Sequence, residues 1–140
     1  MAEFSNASTV EVAAGQNLPL TETAVPGRAC IVHRPGAGVV TLRGMTNQCN
    51  ARFRVSFGAN IAVPDDGTVE AISIALAVNG EALTSATAVV TPAAAGDYFN
   101  VFVSAFILVP KDCCVTVAAE NTSTQSINVS NSNLIVERTA

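Results

Sequence analysis

Residues 96–110 read Gly-Asp-Tyr-Phe-Asn-Val-Phe-Val-Ser-Ala-Phe-Ile-Leu-Val-Pro, and the fold turns on how that stretch is read. It opens after a turn signal, closes on a proline, and is too short to span a bilayer as a helix. With period two, one face carries Phe99, Val101, Val103, Ala105, Ile107 and Val109. The other carries Tyr98, Asn100, Phe102, Ser104, Phe106 and Leu108. A strand with one wet face alternates apolar with polar, whereas this one is apolar on much of both. Its second face therefore either lies deep in a sandwich or meets another copy of the chain.

The segments around it repeat the strand pattern. Upstream, Phe53, Val55 and Phe57 alternate with Arg52, Arg54 and Ser56, a half-buried strand that ends near Gly58. Pro64-Asp65-Asp66-Gly67 is a turn signal, after which Thr68 to Val78 gives a long strand. Its core face is Ile72, Ile74, Leu76 and Val78, and its opposite face is small: Ala71, Ser73, Ala75 and Ala77. Asn79-Gly80 predicts a type I′ hairpin, with Leu83 to Thr91 returning antiparallel. Nearer the start, Ser8 to Ala14 reads as a first strand, and Leu18 and Leu20 flank a proline, as on an edge strand. Arg28–Arg34 and Val39–Arg43 form a hairpin through the Pro35–Gly38 loop. Downstream, Cys113 to Ala119, Ile127 to Val129 and Leu134 to Val136 are strand-like, with Asn121–Thr124 a polar loop. That makes nine or ten strands and no helical period beyond one possible turn at Ala93–Ala95. The expectation is an all-β, single-domain sandwich or barrel.

Composition adds a constraint. The 140-residue chain is 49% hydrophobic but only 13% charged, so a lone copy would expose sticky surface and self-association is expected. A net charge of −4 with seven Lys and Arg argues against nucleic acid, and no polybasic or long apolar run suits a membrane. The start, Met-Ala-Glu-Phe-Ser-Asn, has neither the basic nor the apolar part of a secretory signal, so synthesis in a cytoplasm is expected. Of the four cysteines, Cys113 and Cys114 are adjacent, and as strand residues they face opposite sides. Buried reduced thiols at Cys30, Cys49, Cys113 and Cys114 suit a cytosolic product. A link from Cys49 to one of the adjacent pair, or between subunits, is the alternative.

Candidate chemistry is sparse. His33 is the single histidine, and no spacing pairs it with a nucleophile and an orienting group. Asp65, Asp66, Asp97 and Asp112 lack the dense oxygen pattern of a calcium loop, and turn capping accounts for the first two. Arg52 and Arg54 share a strand face that suits carboxylates, sialic-acid-like sugars or a subunit contact, or a simple ion-paired surface. With one His and no Cys-x-x-Cys pair, no structural zinc site is expected. We expect no enzyme and no cofactor.

The order of elements in the C-terminal half carries a resemblance. Val78-Asn79-Gly80, Gly96-Asp97-Tyr98-Phe99-Asn100-Val101, Val115-Thr116-Val117 and Asn131-Ser132-Asn133-Leu134-Ile135-Val136 come in sequence. Over residues 68–138 the chain thereby resembles the jelly-roll trimers related to tumour necrosis factor and the complement globular head. Thr41–Gly44, Thr46–Cys49, Val89–Ala94 and Asn121–Gln125 are also similar to small virion-associated proteins of gut Firmicutes phages. The first resemblance implies a jelly-roll sandwich, with residues 15–140 as the domain and three copies around an axis. Tyr98, Phe102, Phe106 and Leu108 would then form the subunit interface, and the small face of Ala71 to Ala77 would admit a close neighbour. The expected function is a non-enzymatic, trimeric capsid decoration protein on a phage shell. Its partner would be the major capsid protein, and residues 1–14 the docking arm. The alternative is a receptor- or carbohydrate-binding tip module of a phage fibre or bacterial surface structure. It would take a host glycan with the Pro35–Gly38 and Thr122–Ser126 loops, without Trp and with Tyr98 as the sole tyrosine.

Overall fold

Alternating apolar residues become eleven strands and no helix in the computed structural model, which describes residues Met1–Ala140. In chain order they are β1 (Ala2–Asn6), β2 (Val10–Val12), β3 (Glu22–Val25), β4 (Ile31–His33), β5 (Val40–Arg43) and β6 (Asn50–Ala62). There follow β7 (Ile72–Val78), β8 (Glu81–Val90), β9 (Phe99–Pro110), β10 (Cys114–Asn121) and β11 (Ile127–Arg138). One sheet has the order β3-β1-β11-β6-β9, with β2 also paired to β11; the other runs β4-β5-β10-β7-β8. All pairs are antiparallel, and from β5 onward the chain changes sheet at every connection except the β7–β8 hairpin. This is a jelly-roll sandwich.

The core follows from the pleat. Phe53, Val55, Phe57 and Ile61 of β6 are fully buried against Ile72, Ile74 and Leu76 of β7 and Leu134 and Val136 of β11. Each such side chain contributes about 1.5–3 kcal/mol by leaving water. Asn79 and Gly80 take φ of 52° and 84°, as the type I′ turn requires.

Several expectations are corrected. β6 does not stop near Gly58 but runs to Ala62, paired along its length with β9. The N-terminal fourteen residues hold two strands, not one. β1 is hydrogen-bonded on one side to β11 and on the other to β3, with Ala2, Phe4 and Asn6 buried. That segment is built into the sheet. Leu18 and Leu20 are buried in the core although only Asn17 makes an isolated bridge there, to Glu120. The small face of β7 is covered within one chain only in part: Ala75 and Ala77 are buried, Ser73 is half-buried and Ala71 is exposed. Ala75 lies directly between Glu120 and Thr87 of the neighbouring strands, whose longer side chains share its face. β8 breaks register between its pairs to Ala75 and Ala77, where residues 83–86 bulge and Thr87 Oγ1 donates to the Leu83 carbonyl at 2.7 Å.

Candidate functional site

β9 is the last strand of its sheet, and that position makes its second face matter. It pairs only with β6, from Ile61 opposite Phe99 to Asn50 opposite Pro110, so its other edge is free. Gly96, at φ 84°, donates its N–H to the Val63 carbonyl and starts the strand; Pro110 ends it where a ladder donor is dispensable. Val101, Val103, Ile107 and Val109 point into the sandwich and are buried. On the outer face Phe102 is 65%, Phe106 66% and Leu108 58% exposed. Of the two sequence readings of this stretch, deep burial of both faces is thus excluded within one chain. Tyr98 precedes the strand and is exposed with them. Phe99, assigned by parity to the inner face, is also exposed at the strand's beginning.

The outer face of β6 completes the surface. Directly across from the β9 row lie Arg52 (opposite Leu108), Arg54 (opposite Phe106), Ser56 (opposite Ser104), Gly58 (opposite Phe102) and Asn60 (opposite Asn100). The polar rungs are internally satisfied: the Ser56 and Ser104 hydroxyls are 3.1 Å apart, and Asn100 Nδ2 donates to Asn60 Oδ1 at 3.1 Å. Gly58 leaves the ring of Phe102 standing over bare backbone, since a Cβ there would touch Phe102 Cδ2 at 3.8 Å and Asn133 Oδ1 at 3.2 Å. Arg54 reaches Glu137 of β11 at 3.8 Å, whereas Arg52 makes no ion pair and borders, with Phe106 and Leu108, a shallow depression of about 430 Å³. The two arginines that the sequence places on one face are therefore unequal: one is neutralised and one is free. The whole is an apolar stripe with two hydrogen-bonded polar rungs and one free cation at its rim.

The cysteines depart from expectation. None is fully buried: Cys30 is half-buried, and Cys49, Cys113 and Cys114 are exposed free thiols. The reason is position, since Cys49 and Cys113 lie just beyond strand ends and Cys114 takes the outward phase of β10.

At the opposite end of the sandwich the two loops expected to bind a glycan come close to one segment. Gly36 N–H donates to the Leu20 carbonyl, Leu18 N–H to that of Ala119, and Gly15 N–H to that of Asn121. Residues 15–20 thus lie between the Pro35–Gly38 turn and the 122–126 loop. That second loop is held from within: buried Asn121 donates through Nδ2 to the Val12 and Gln125 carbonyls and accepts from Ser123 N–H, each at 2.9 Å. Beside it is an open depression of about 300 Å³ lined by Glu11, Pro64, Asp66, Gly67, Thr68, Gln125 and Ser126, with no aromatic side chain. Asp66 belongs to the tight turn closed by Gly67 N–H on the Pro64 carbonyl. His33 sits 3.0 Å through Nε2 from the Ala37 carbonyl, its ring tilted against Phe4. Its polar contact is with a backbone carbonyl rather than a carboxylate or thiol, and no three His, Cys, Asp or Glu side chains gather in a metal-binding arrangement.

Two solved structures share this architecture. The structure of Eiger TNF from S. frugiperda superposes with a TM-score of 0.70 over 99% of this chain and 91% of that one, at 15% identity. The globular domain of zebrafish complement 1qA protein superposes at 0.59 over 96% and 94%, at 10% identity. No protein-family model and no curated protein matches the sequence. The class is therefore fixed by fold: an all-β jelly-roll sandwich of the type seen in tumour necrosis factor and the complement globular head.

Proposed function

We propose that this chain is a non-enzymatic, self-assembling jelly-roll module in which three copies meet around an axis through the outer face of β9 and β6. The observation that carries the reading is the exposure of Phe102, Phe106 and Leu108 together on a strand with a free edge. An unprotected apolar edge invites pairing with other chains, and natural sheets blunt such edges with charge, proline or cover. β9 has no charged residue along its length and its one proline stands at its last position, so cover is the remaining device for the rest of the edge. A strip on one edge meeting a different surface of the next copy makes a heterologous contact, and such contacts stay soluble only when the ring closes. The resemblance to trimeric jelly rolls favours three as the number of copies. Hydroxyl-radical footprinting of the purified protein tests the location. Phe102 and Phe106 should be oxidised as slowly as core Phe53 and Phe57; rates matching open exposure would overturn it.

The setting expected from the sequence, a phage shell with the major capsid protein as partner, rests on sequence resemblance alone. Neither structural neighbour is a particle protein by its description. Co-sedimentation with purified capsids in stoichiometric amount would support it, and absence from the pellet would remove it. The glycan-binding alternative has the polar depression at Gln125 and Ser126 in its favour, without the aromatic platform on which sugar rings stack.

A further inference from the structure

The end of the sandwich opposite the polar depression gathers most of the chain's positive charge. There the loop between β5 and β6 wraps the turn between β9 and β10. Asp112 N–H donates to the Gly44 carbonyl at 3.0 Å, Gly44 N–H to that of Cys113 at 2.9 Å, and Lys111 N–H to that of Cys49 at 3.0 Å. Gly44 is so close to this turn that a Cβ would collide with the Pro110 carbonyl oxygen. Arg43 and Lys111 therefore stand on adjoining backbones. On one side of them, Arg43 N–H donates to the Cys30 carbonyl at 2.8 Å, two residues from Arg28. On the other, Asn50 pairs with Pro110, and Arg52 follows two residues later. Arg52 N–H and Arg138 Nε both donate to the Ala140 carbonyl, at 3.3 and 3.1 Å. A band of five cations thus crosses the end from one sheet to the other.

These charges are unspent. Arg28, Arg43, Arg52 and Lys111 are exposed, and Arg138 is half-buried with its guanidinium 6.0 Å from the Phe53 ring centre. The chain's one ion pair is Arg54 with Glu137, so none of the five is neutralised by a carboxylate. The other acids at this end are Asp112 in the turn and Glu81 after the β7–β8 hairpin. Of the seven cations only Arg34, after β4, lies at the far end. Carboxylates collect there instead: Glu11 and Asp66 line the polar depression, and Glu70 accepts from Thr124 and Gln125. The thirteen residues of β6 span about 40 Å, several times the about 8 Å screening length of physiological salt. The basic end therefore acts on a partner independently of the net charge of −4.

We propose that this end is a binding surface for a sulfated polysaccharide, which lies across the band from Arg28 and Arg43 past Lys111 to Arg52 and Arg138. Guanidinium forks suit paired anionic oxygens, and Lys111 adds a point charge. Five cations spread over the width of two sheets match a chain whose charges are spaced apart. A DNA duplex, with one charge per about 1.7 Å, calls for a denser patch. Residues 26–30, 44–50 and 110–114, which form this end, hold no aromatic side chain on which a single-stranded base could stack. A thin chain also touches the basic end alone and keeps its sulfates away from the acidic end. The surface is the same for one copy or for three, since Arg43 and Lys111 lie off the outer face of β9 and β6.

The test is titration of the full-length protein with heparin fragments, with duplex DNA and phosphatidylserine vesicles in parallel. Heparin fragments should bind at low salt and be released near 1 M salt, where the screening length is about 3 Å. Arg43→Glu and Lys111→Glu should each weaken binding about five- to tenfold, one exposed attraction lost and one repulsion gained. Arg34→Glu, at the acidic end, should leave it unchanged, and circular dichroism should show all three variants folded. No heparin binding by the wild type at low salt overturns the proposal without recourse to any variant. So does binding that survives 1 M salt, an equal loss in Arg34→Glu, or tighter binding to DNA or vesicles than to heparin.

Discussion

Replacing Phe102 with aspartate distinguishes an interface side chain from a merely exposed one. In the isolated chain Phe102 is 65% exposed, its ring beside Gly58, so folding of a single copy should change by about 0.5 kcal/mol or less. In an assembly the balance differs. With about 200 Å² for a phenylalanine side chain, the exposed share is about 130 Å². At about 25 cal/mol per Å² its burial contributes about 3 kcal/mol per contact. A carboxylate in the same dry position adds a further penalty of several kcal/mol, because nothing at Ser104 or Gly58 can compensate a charge. Loss of the transfer contribution alone weakens each contact more than about 100-fold. Sedimentation velocity over a range of micromolar concentrations should then give a folded single-subunit species, with circular dichroism and melting of the monomer preserved. Val32→Asp is the control, since Val32 is an exposed apolar residue on β4 at the far edge of the other sheet. If Phe102→Asp sediments like the parent while Val32→Asp dissociates, the face has been assigned to the wrong sheet.

Further substitutions test the frame that holds this face. Asn121→Ala removes three hydrogen bonds, one buried and two half-buried, leaving the Val12 and Gln125 carbonyls and Ser123 N–H without that partner; urea unfolding should report about 2–4 kcal/mol lost. Gly44→Ala forces the 44–49 loop off the Pro110 turn and should lower the melting temperature well beyond the effect of Gly15→Ala, whose site has open space. Gly80→Val should cost about 1–2 kcal/mol by chemical denaturation, because a branched side chain at φ 84° is strained in the hairpin. Arg54→Ala should change stability by less than about 1 kcal/mol, since its pair with Glu137 is solvent-exposed.

The parts of the fold legible in the sequence were those where a local signal and the tertiary demand coincide. Phe53, Val55 and Phe57 alternate because the pleat sends them all to one core, and Asn79-Gly80 names its own turn. The two apolar faces of β9 were equally plain, but period two cannot say which of them the chain covers. That depends on strand order, and only the edge position of β9 separates the buried row from the exposed one. β1 escaped notice because Ala2, Phe4 and Asn6 form a row too short and too polar to stand out; what orders it is pairing to β11, more than a hundred residues away. The exposure of the cysteines has a related cause. Composition favours burial of free thiols, while Cys49 and Cys113 fall one step outside their strands, a boundary that residue type does not mark. The closeness of the 44–49 loop to the 110–113 turn has no sequence signature other than a glycine at 44.

The mass of the purified wild-type protein in solution, by multi-angle light scattering across a dilution series, tests the central claim most directly. Assembly through β9 predicts three times the 14.3 kDa chain mass. A single species of 14.3 kDa at micromolar concentration, with Phe102 and Phe106 open to solvent, would contradict it.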